Sequence, residues 1–352
     1  MKTKNLNRFI FLLILTGWCF TANGQEAEGK VEAKVKFNAS SYILEHIADS
    51  HEWHIYTKQN GESVEIYLPV IVYSKEKGLN IFSSKQLAHG RLYKGYKLEE
   101  EGDLKGKIVK VNEAGEADVK NLPLDLSMTK TVVAMLSAAI IGLIIFLSLA
   151  RSYKKTGISH PKGIQSFLEP VVLFIRDDIA IPNIGHKYER YMPYLLTVFF
   201  FILINNLMGL IPFPPPFGGN VTGNIAITFI LAGCTFIITQ FSGNKSYWKH
   251  VFATPGVPFW LLPIMIPVEL IGLISKPFAL MIRLFANMLA GHIVILSLIC
   301  LIFIFNSLAL APVSIFFVIF MQFMELLVAF LQAYIFTLLS ALFISLAVQE
   351  QH

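Results

Sequence analysis

The sequence predicts an all-α polytopic membrane protein, about five membrane helices or hairpins with long tilted C-terminal helices, preceded by a small β-rich soluble domain. Three observations carry that expectation. Of 352 residues, 54% are hydrophobic and 15% charged, with a mean hydropathy of +0.58, whereas soluble domains carry about 25% charge. The charge is unevenly spread: 34 of the 53 Asp, Glu, Lys and Arg residues lie at positions 1–129. From Tyr191 onward seven remain, namely Lys245, Lys249, Glu269, Lys276, Arg283, Glu325 and Glu350. Long apolar runs also recur from residue 130 onward. Seven charges cannot give residues 191–352 a water-exposed surface.

Residues 1–24 read as a secretory signal. Lys2, Lys4 and Arg8 supply the positive start, Phe9 to Phe20 the apolar stretch, and Ala22-Asn23-Gly24 a small-residue cleavage site. The apolar stretch would rise only ~18 Å as a helix, short of a ~30 Å hydrocarbon core. Trp18 before Cys19 disfavours lipid attachment there. Residues 25–125 are polar and mixed, and are expected to form a β-rich exported module. Val64 to Leu68 alternates as a half-buried strand, Val70 to Tyr73 and Gly78 to Phe82 suggest a hairpin, and Ile108 to Val111 a further strand. His46, His51 and His54, beside Asp49 and Glu52, either lie on a local surface helix or bind a metal.

The membrane domain is expected over residues 126–352. A first span covers 130–150, closed by Arg151, Lys154 and Lys155, and a cytoplasm-type segment runs to Arg190. Tyr191 to Leu210 is a second span, ended by the proline-rich Ile211 to Pro216, and Ala226 to Phe241 centres a third. Beyond Val257, Pro263, Pro267, Pro277, Asn306 and Pro312 interrupt a nearly continuous apolar run, read as a membrane hairpin leading into helices at 275–305 and 309–348. Such a helix rises ~46 Å and must tilt or protrude.

Loop charge gives the orientation. Segment 151–190 carries seven Lys and Arg residues and loop 243–250 carries Lys245 and Lys249, while loops 211–221 and 305–311 carry none. The positive-inside rule then puts 151–190, 243–250 and the C-terminus in the cytoplasm, and 25–125 outside. The signal segment independently predicts the same.

Ionisable groups at membrane depth cost a few kcal/mol each and mark function by default. Glu269, Lys276 and Arg283 are spaced by seven; seven residues advance about 700°, so on one helix they share a face, which Asn287 extends. His292 lies nine residues beyond Arg283, about 900° on, and points to the opposite side. Gln322, Glu325 and Gln332 share one flank of the last helix. Arg283 stays protonated and cannot relay a proton, but attracts a carboxylate and repels a passing cation. His292 and Glu325 exchange protons readily. Structural roles stay open for Lys276 snorkelling to the interface, Glu269 pairing with Lys276, and Gln322.

At these residues the chain resembles the a subunit of F-type ATP synthases, with an additional N-terminal exported domain. The resemblance rests on Glu269 to His292 (ELIGLISKPFALMIRLFANMLAGH), on Leu331 to Phe336 (LQAYIF) and on Asn206 to Pro212 (NLMGLIP). It covers residues ~126–350 and implies the following roles. Arg283 faces the carboxylate of a rotating c-ring and keeps two offset half-channels apart, with Asn287 and Gln332 as polar neighbours. His292 and Glu325 form a pair in the exported-side half-channel, in the reverse order of acid and histidine from some bacterial relatives, so that the two meet in space. Glu269, Lys276 and Asn206 are supporting polar groups. Gly209 and Pro214 stand where some relatives have acidic residues. The implied partners are the c-subunit ring, b subunits, the F1 sector, the lipid membrane and protons; the implied location is the bacterial inner membrane.

Other classes remain open on the residues alone: an intramembrane acid–base enzyme or another ion transporter using His292 and Glu325, or a receptor with 25–125 as sensor. No Walker-type phosphate loop or HExxH array occurs, and Cys19, Cys234 and Cys300 form no CxxC pair, so no cofactor is expected, and no metal outside the alternative left open for the module histidines. The basic residues form no aromatic-interleaved patch of the kind that binds nucleic acid.

Overall fold

The computed structural model describes residues 38–57, 63–100, 102–111, 118, 121–156, 163–211, 215–252, 258–305 and 307–348. The expected signal at 1–24 lies outside the described residues, as do prolines 212 and 214.

Helix α1 (Ala39–Ile47) opens the module, followed by strands β1 (Glu52–Thr57), β2 (Ser63–Tyr67), β3 (Pro69–Ser74), β4 (Gly78–Ser83), β5 (Tyr96–Leu98), β6 (Ile108–Lys110) and β7 (Leu124–Asp125). They pair antiparallel as β1–β2, β4–β3–β7 and β5–β6, with a bulge in β1 between His54 and Tyr56. The period-2 alternation of β3 buries Val70 and Val72 while Tyr73 faces out. Those two residues pack with Phe82, Leu87, Tyr96 and Ile108. The Tyr96 hydroxyl hydrogen-bonds the Ser74 hydroxyl at 2.9 Å, so its buried ring keeps a partner for its polar tip. The strand segments read from sequence fall on β2, the β3–β4 hairpin and β6, with Leu68 and Val111 each one residue past the strand end.

Helix α2 (Lys130–Thr156) is the first apolar helix. Then come α3 (Ile164–Phe174), a π-helical stretch at Ile175–Ala180, α4 (Ile181–Ile184) and α5 (Tyr188–Leu210). Here the structure corrects the sequence reading. Residues 164–187 are not a mere connecting segment: Leu168, Ile175, Ile179, Ala180 and Ile184 are buried in the main core. Leu168, Ile175, Ile179 and Ile184, spaced by seven, four and five residues, make one apolar stripe, which the charges around them obscure in the linear sequence. Ser345 donates to the Asn183 carbonyl and ties this stretch to the last helix.

Helix α6 (Ile225–Phe241) is capped by Asn224, whose side chain accepts from the Ala226 N–H at 3.0 Å. Helix α7 (Lys245–Phe252) bends away from it by 104°. Among the described residues, four helical runs are long and apolar enough to cross a membrane, or five with the α6–α7 pair. The expected hairpin before residue 275 is replaced by one helix, α8 (Leu262–Ile304), followed by α9 (Ala311–Val348). Pro263 lies in the first turn of α8, where no N–H is needed, and Pro267 and Pro277 are held within the helix. The 43 residues of α8 rise about 65 Å, roughly twice a hydrocarbon core, so the helix cannot stand upright across one bilayer.

The bundle core forms where α5 and α9 pack together with α8, around Leu195, Ile202, Leu280, Leu284, Met288, Phe336 and Ile344. Hydroxyls stitch the apolar helices: Tyr194 on α5 meets Thr235 on α6 at 2.6 Å, and Thr235 meets Ser340 on α9 at 3.2 Å. In an apolar surround such interhelical bonds contribute about 0.6 kcal/mol on average.

Candidate functional site

The two faces of α8 separate its ionisable groups. Lys276, Arg283 and Asn287 lie on the exposed side, interleaved with exposed Ala279, Ala286 and Ala290. Among the described residues, Arg283 and Asn287 have no hydrogen-bond or ion-pair partner. His292 turns inward toward α9, where its Nε2 stands 4.0 Å from Glu325 Oε1. Glu325 is 4% exposed. Neither His292 Nε2 nor either Glu325 oxygen accepts or donates a hydrogen bond among the described residues. A buried carboxylate normally finds a partner, and the half-buried imidazole stands 4.0 Å away, just beyond hydrogen-bond distance.

Two glycines shape this pair. The position a Cβ would take on Gly291 is 2.7 Å from Glu325 Oε1 and 3.0 Å from its Cδ. The corresponding position on Gly209, at the end of α5, is 3.6 Å from His292 Nε2. Sequence reasoning quoted Gly291 only as part of a motif and gave it no role. The signal was its place beside His292 in a helix otherwise rich in large apolar residues.

Asn206 is buried and bridges three elements. Its amide donates to the Ala329 carbonyl of α9 at 3.2 Å, and its carbonyl oxygen accepts from the Thr222 hydroxyl at 2.6 Å. Gln322 donates to the Leu210 carbonyl at 2.7 Å, joining α9 to the end of α5. Gln332 is 4% exposed, on the buried side of α9.

At the other end of α8 a shallow cleft opens. It is lined by Thr239 and Gln240 of α6, Tyr247 of α7, Lys276 of α8 and apolar residues of α9. Gln240 donates to the Tyr247 hydroxyl at 3.2 Å. Nearby, Glu269 lies 3.9 Å from His250 Nδ1, so its basic neighbour is on α7 rather than Lys276 as the sequence allowed. Along α8, Lys276 precedes Arg283 by about 11 Å of rise and His292 follows it by about 14 Å.

The three module histidines do not share one surface helix. His46 is on α1, whereas His51 is buried before β1, 3.5 Å from Asp125 Oδ2, and His54 is on β1. Among the described residues, no three His, Cys, Asp or Glu side chains are grouped to hold a metal.

An apolar bundle of helices long enough to span a bilayer, with a half-buried imidazole beside a buried carboxylate on one face of its longest helix and a bare guanidinium on the other, defines an integral membrane protein that carries titratable groups within its apolar helices. The chain belongs to the ATP synthase A chain family, whose model matches residues 132–345. It is 52% identical over 233 residues to ATP synthase subunit a of Chloroherpeton thalassium, covering 64% of this chain and 68% of that protein. It is 51% identical over 243 residues to ATP synthase subunit a 2 of Chlorobaculum tepidum, covering 66% and 67%. With ATP synthase subunit a of Myxococcus xanthus it shares 49% over 235 residues, covering 65% and 75%. Residues 42–129 match a second model, described as a domain of unknown function, DUF8433.

Proposed function

We propose that this chain is the proton-conducting stator subunit of an F-type ATP synthase, non-catalytic itself, which passes protons through two offset half-channels and couples their flow to rotation of a c-ring. The observation that carries this reading is the bare Arg283 guanidinium on the open face of α8. A permanently charged side chain flanked by apolar helix demands a carboxylate, and this chain provides none beside it among the described residues. A carboxylate borne by c subunits, passing along the face formed by Ala279, Ala286 and Ala290, would meet Arg283 at close range.

His292 and Glu325 then serve the half-channel on the module side, and the cleft at Gln240, Tyr247 and Lys276 serves the opposite side. Arg283, between them along α8, prevents protons from crossing without a c subunit to carry them. Asn287 and Gln332 are the polar neighbours of that crossing, and Glu269 and Asn206 hold the surrounding helices. The membrane is the bacterial inner membrane, with the module periplasmic and the C-terminus cytoplasmic. The partners are the c-ring, the b subunits and the F1 sector.

The test is Arg283→Ala in the whole complex. Gradient-driven ATP synthesis is expected to disappear while the c-ring and catalytic sector still co-purify with the variant. Synthesis at the wild-type rate refutes the role.

A further inference from the structure

The exported module is fastened to the first turn of α2 by the segment between α1 and β1. The Lys130 N–H donates to the Ser50 carbonyl at 2.9 Å, and the Lys130 ammonium donates to the His46 carbonyl at 2.9 Å. Asp49 Oδ1 accepts from the Thr131 N–H at 3.1 Å and so caps α2 from 82 residues away in sequence. The Met128 N–H donates to the Pro69 carbonyl at 3.1 Å, which ties the lead-in of α2 to the start of β3. These bonds fix where β1 begins, and with it the half-buried Trp53.

Trp53 reaches the loop that joins α5 to α6. A Cβ on Gly219 would stand 3.8 Å from Trp53 Cη2, 3.7 Å from the Lys130 carbonyl oxygen and 2.7 Å from the Ala134 Cβ. The Gly219 carbonyl faces α5. Its oxygen is 3.6 Å from the position a Cβ would take on Gly209, and that position is 3.6 Å from His292 Nε2. From His292 Nε2 to Glu325 Oε1 is a further 4.0 Å. One line of close approaches therefore runs from the module through two glycines to the inner pair. At Gly219 the approach to α2 leaves no room for a side chain.

Helix α5 holds the same loop from its own side. The Gly218 N–H donates to the Met208 carbonyl at 3.0 Å, and the Thr222 hydroxyl donates to Asn206 Oδ1 at 2.6 Å. Gly219 lies between these two anchors, packed against α2 and the Trp53 ring. An indole suits that place because it brings a large, rigid contact surface.

We propose that the exported module is a brace for the loop between α5 and α6, with Trp53 the positioning residue that holds Gly219 against the end of α5 and limits the water that reaches His292 and Glu325. The inference rests on the proton-channel reading above. A half-channel needs its titratable pair fed along one path and closed elsewhere, and a loop pinned from outside the bundle supplies that closure.

The experiment reads access to the pair directly. His292→Cys is introduced into the intact ATP synthase, reconstituted with the module facing the bath, and a charged methanethiosulfonate is added there. The rate is taken over that of the complex without the new thiol. With Trp53 in place the reaction is expected to be slow. Trp53→Ala should speed it about tenfold, the order by which losing one aromatic contact shifts a local opening equilibrium. Gly219→Ala should do the same with the module untouched, because its methyl group collides with Ala134. Adding Ala134→Gly to Gly219→Ala should bring the slow rate back. Native Cys300, buried further along α8, should stay unreactive throughout.

An unchanged rate in Trp53→Ala overturns the brace, whatever Gly219→Ala does. So does a double variant no slower than Gly219→Ala, or a Cys300 that reacts along with position 292, which would mean that α8 has loosened as a whole. Proton conduction by His292→Ala with the brace intact separates the two readings. Conduction at the wild-type rate there refutes the proton channel, whereas the labelling rates refute the brace alone.

Discussion

Gly291 is the seat of the Glu325 carboxylate: a methyl group on its Cα would stand 2.7 Å from Glu325 Oε1, inside contact distance. Gly291→Ala would therefore push the carboxylate off α8 and away from His292, while improving helix propensity by about 1 kcal/mol. Assembly should persist and proton conduction should fall, by roughly 10²-fold if the displacement approaches 1 Å. Passive conduction through the membrane sector, compared with the yield of assembled complex, is the measurement. Unchanged conduction would show that the carboxylate does not work from this position.

The pair itself is testable by exchange. His292→Ala and Glu325→Ala each remove one proton-exchanging group, and a loss on the order of 10²-fold in conduction is expected from either. The double variant His292→Glu with Glu325→His restores one acid and one imidazole at the observed 4.0 Å meeting point and should recover part of the rate. A double variant no faster than the slower single variant would mean that the two groups do not act as a unit.

Much of this site was legible in the linear sequence because helix geometry is periodic. The nine-residue step from Arg283 to His292 turns about 900°, which is why one faces outward and the other α9. The approach of His292 to Glu325 followed from the resemblance, through the reversed order of acid and histidine. What escaped was set by packing. Residues 164–187 carry enough charge to read as a loop, yet Ile175, Ile179 and Ile184 bury themselves against the bundle. Pro267 and Pro277 read as breaks, but α8 carries them without ending, as helices among apolar neighbours do. His51 looked like one of three surface histidines, and its burial against Asp125 depends on β7 arriving from more than seventy residues away.

Asn206 should matter for stability more than for conduction. Its side chain satisfies the Ala329 carbonyl and the Thr222 hydroxyl in a site closed to solvent. Asn206→Ala leaves both without that partner, at a cost of about 1–3 kcal/mol. The expected result is a lower unfolding midpoint of the detergent-solubilised complex, with conduction per assembled complex within about twofold of wild type, since the interhelical bond is far weaker than the packing around it. A large loss of conduction at full stability would place Asn206 in the proton path instead.

The module should come apart in acid through Asp125. Burial alone would raise this carboxyl, but the contact with His51 at 3.5 Å and the Ser127 N–H donating to Oδ1 at 2.9 Å outweigh it and hold the group below the usual carboxylate range. A folded-state value below the unfolded one means that the unfolded module binds the extra proton first. The stability this confers is complete above the ordinary carboxylate value and is lost as pH falls through the depressed one. Below about pH 4 the link between β7 and His51 should therefore weaken, while neutral pH should leave it intact. Asp125→Asn, which cannot ionise, should flatten that acid limb and lower stability at pH 7. Trp53 fluorescence and pulse proteolysis of the module in the intact complex, followed from pH 7 to pH 3, read both effects. An acid limb of equal steepness in Asp125→Asn would assign the acid sensitivity to another carboxylate.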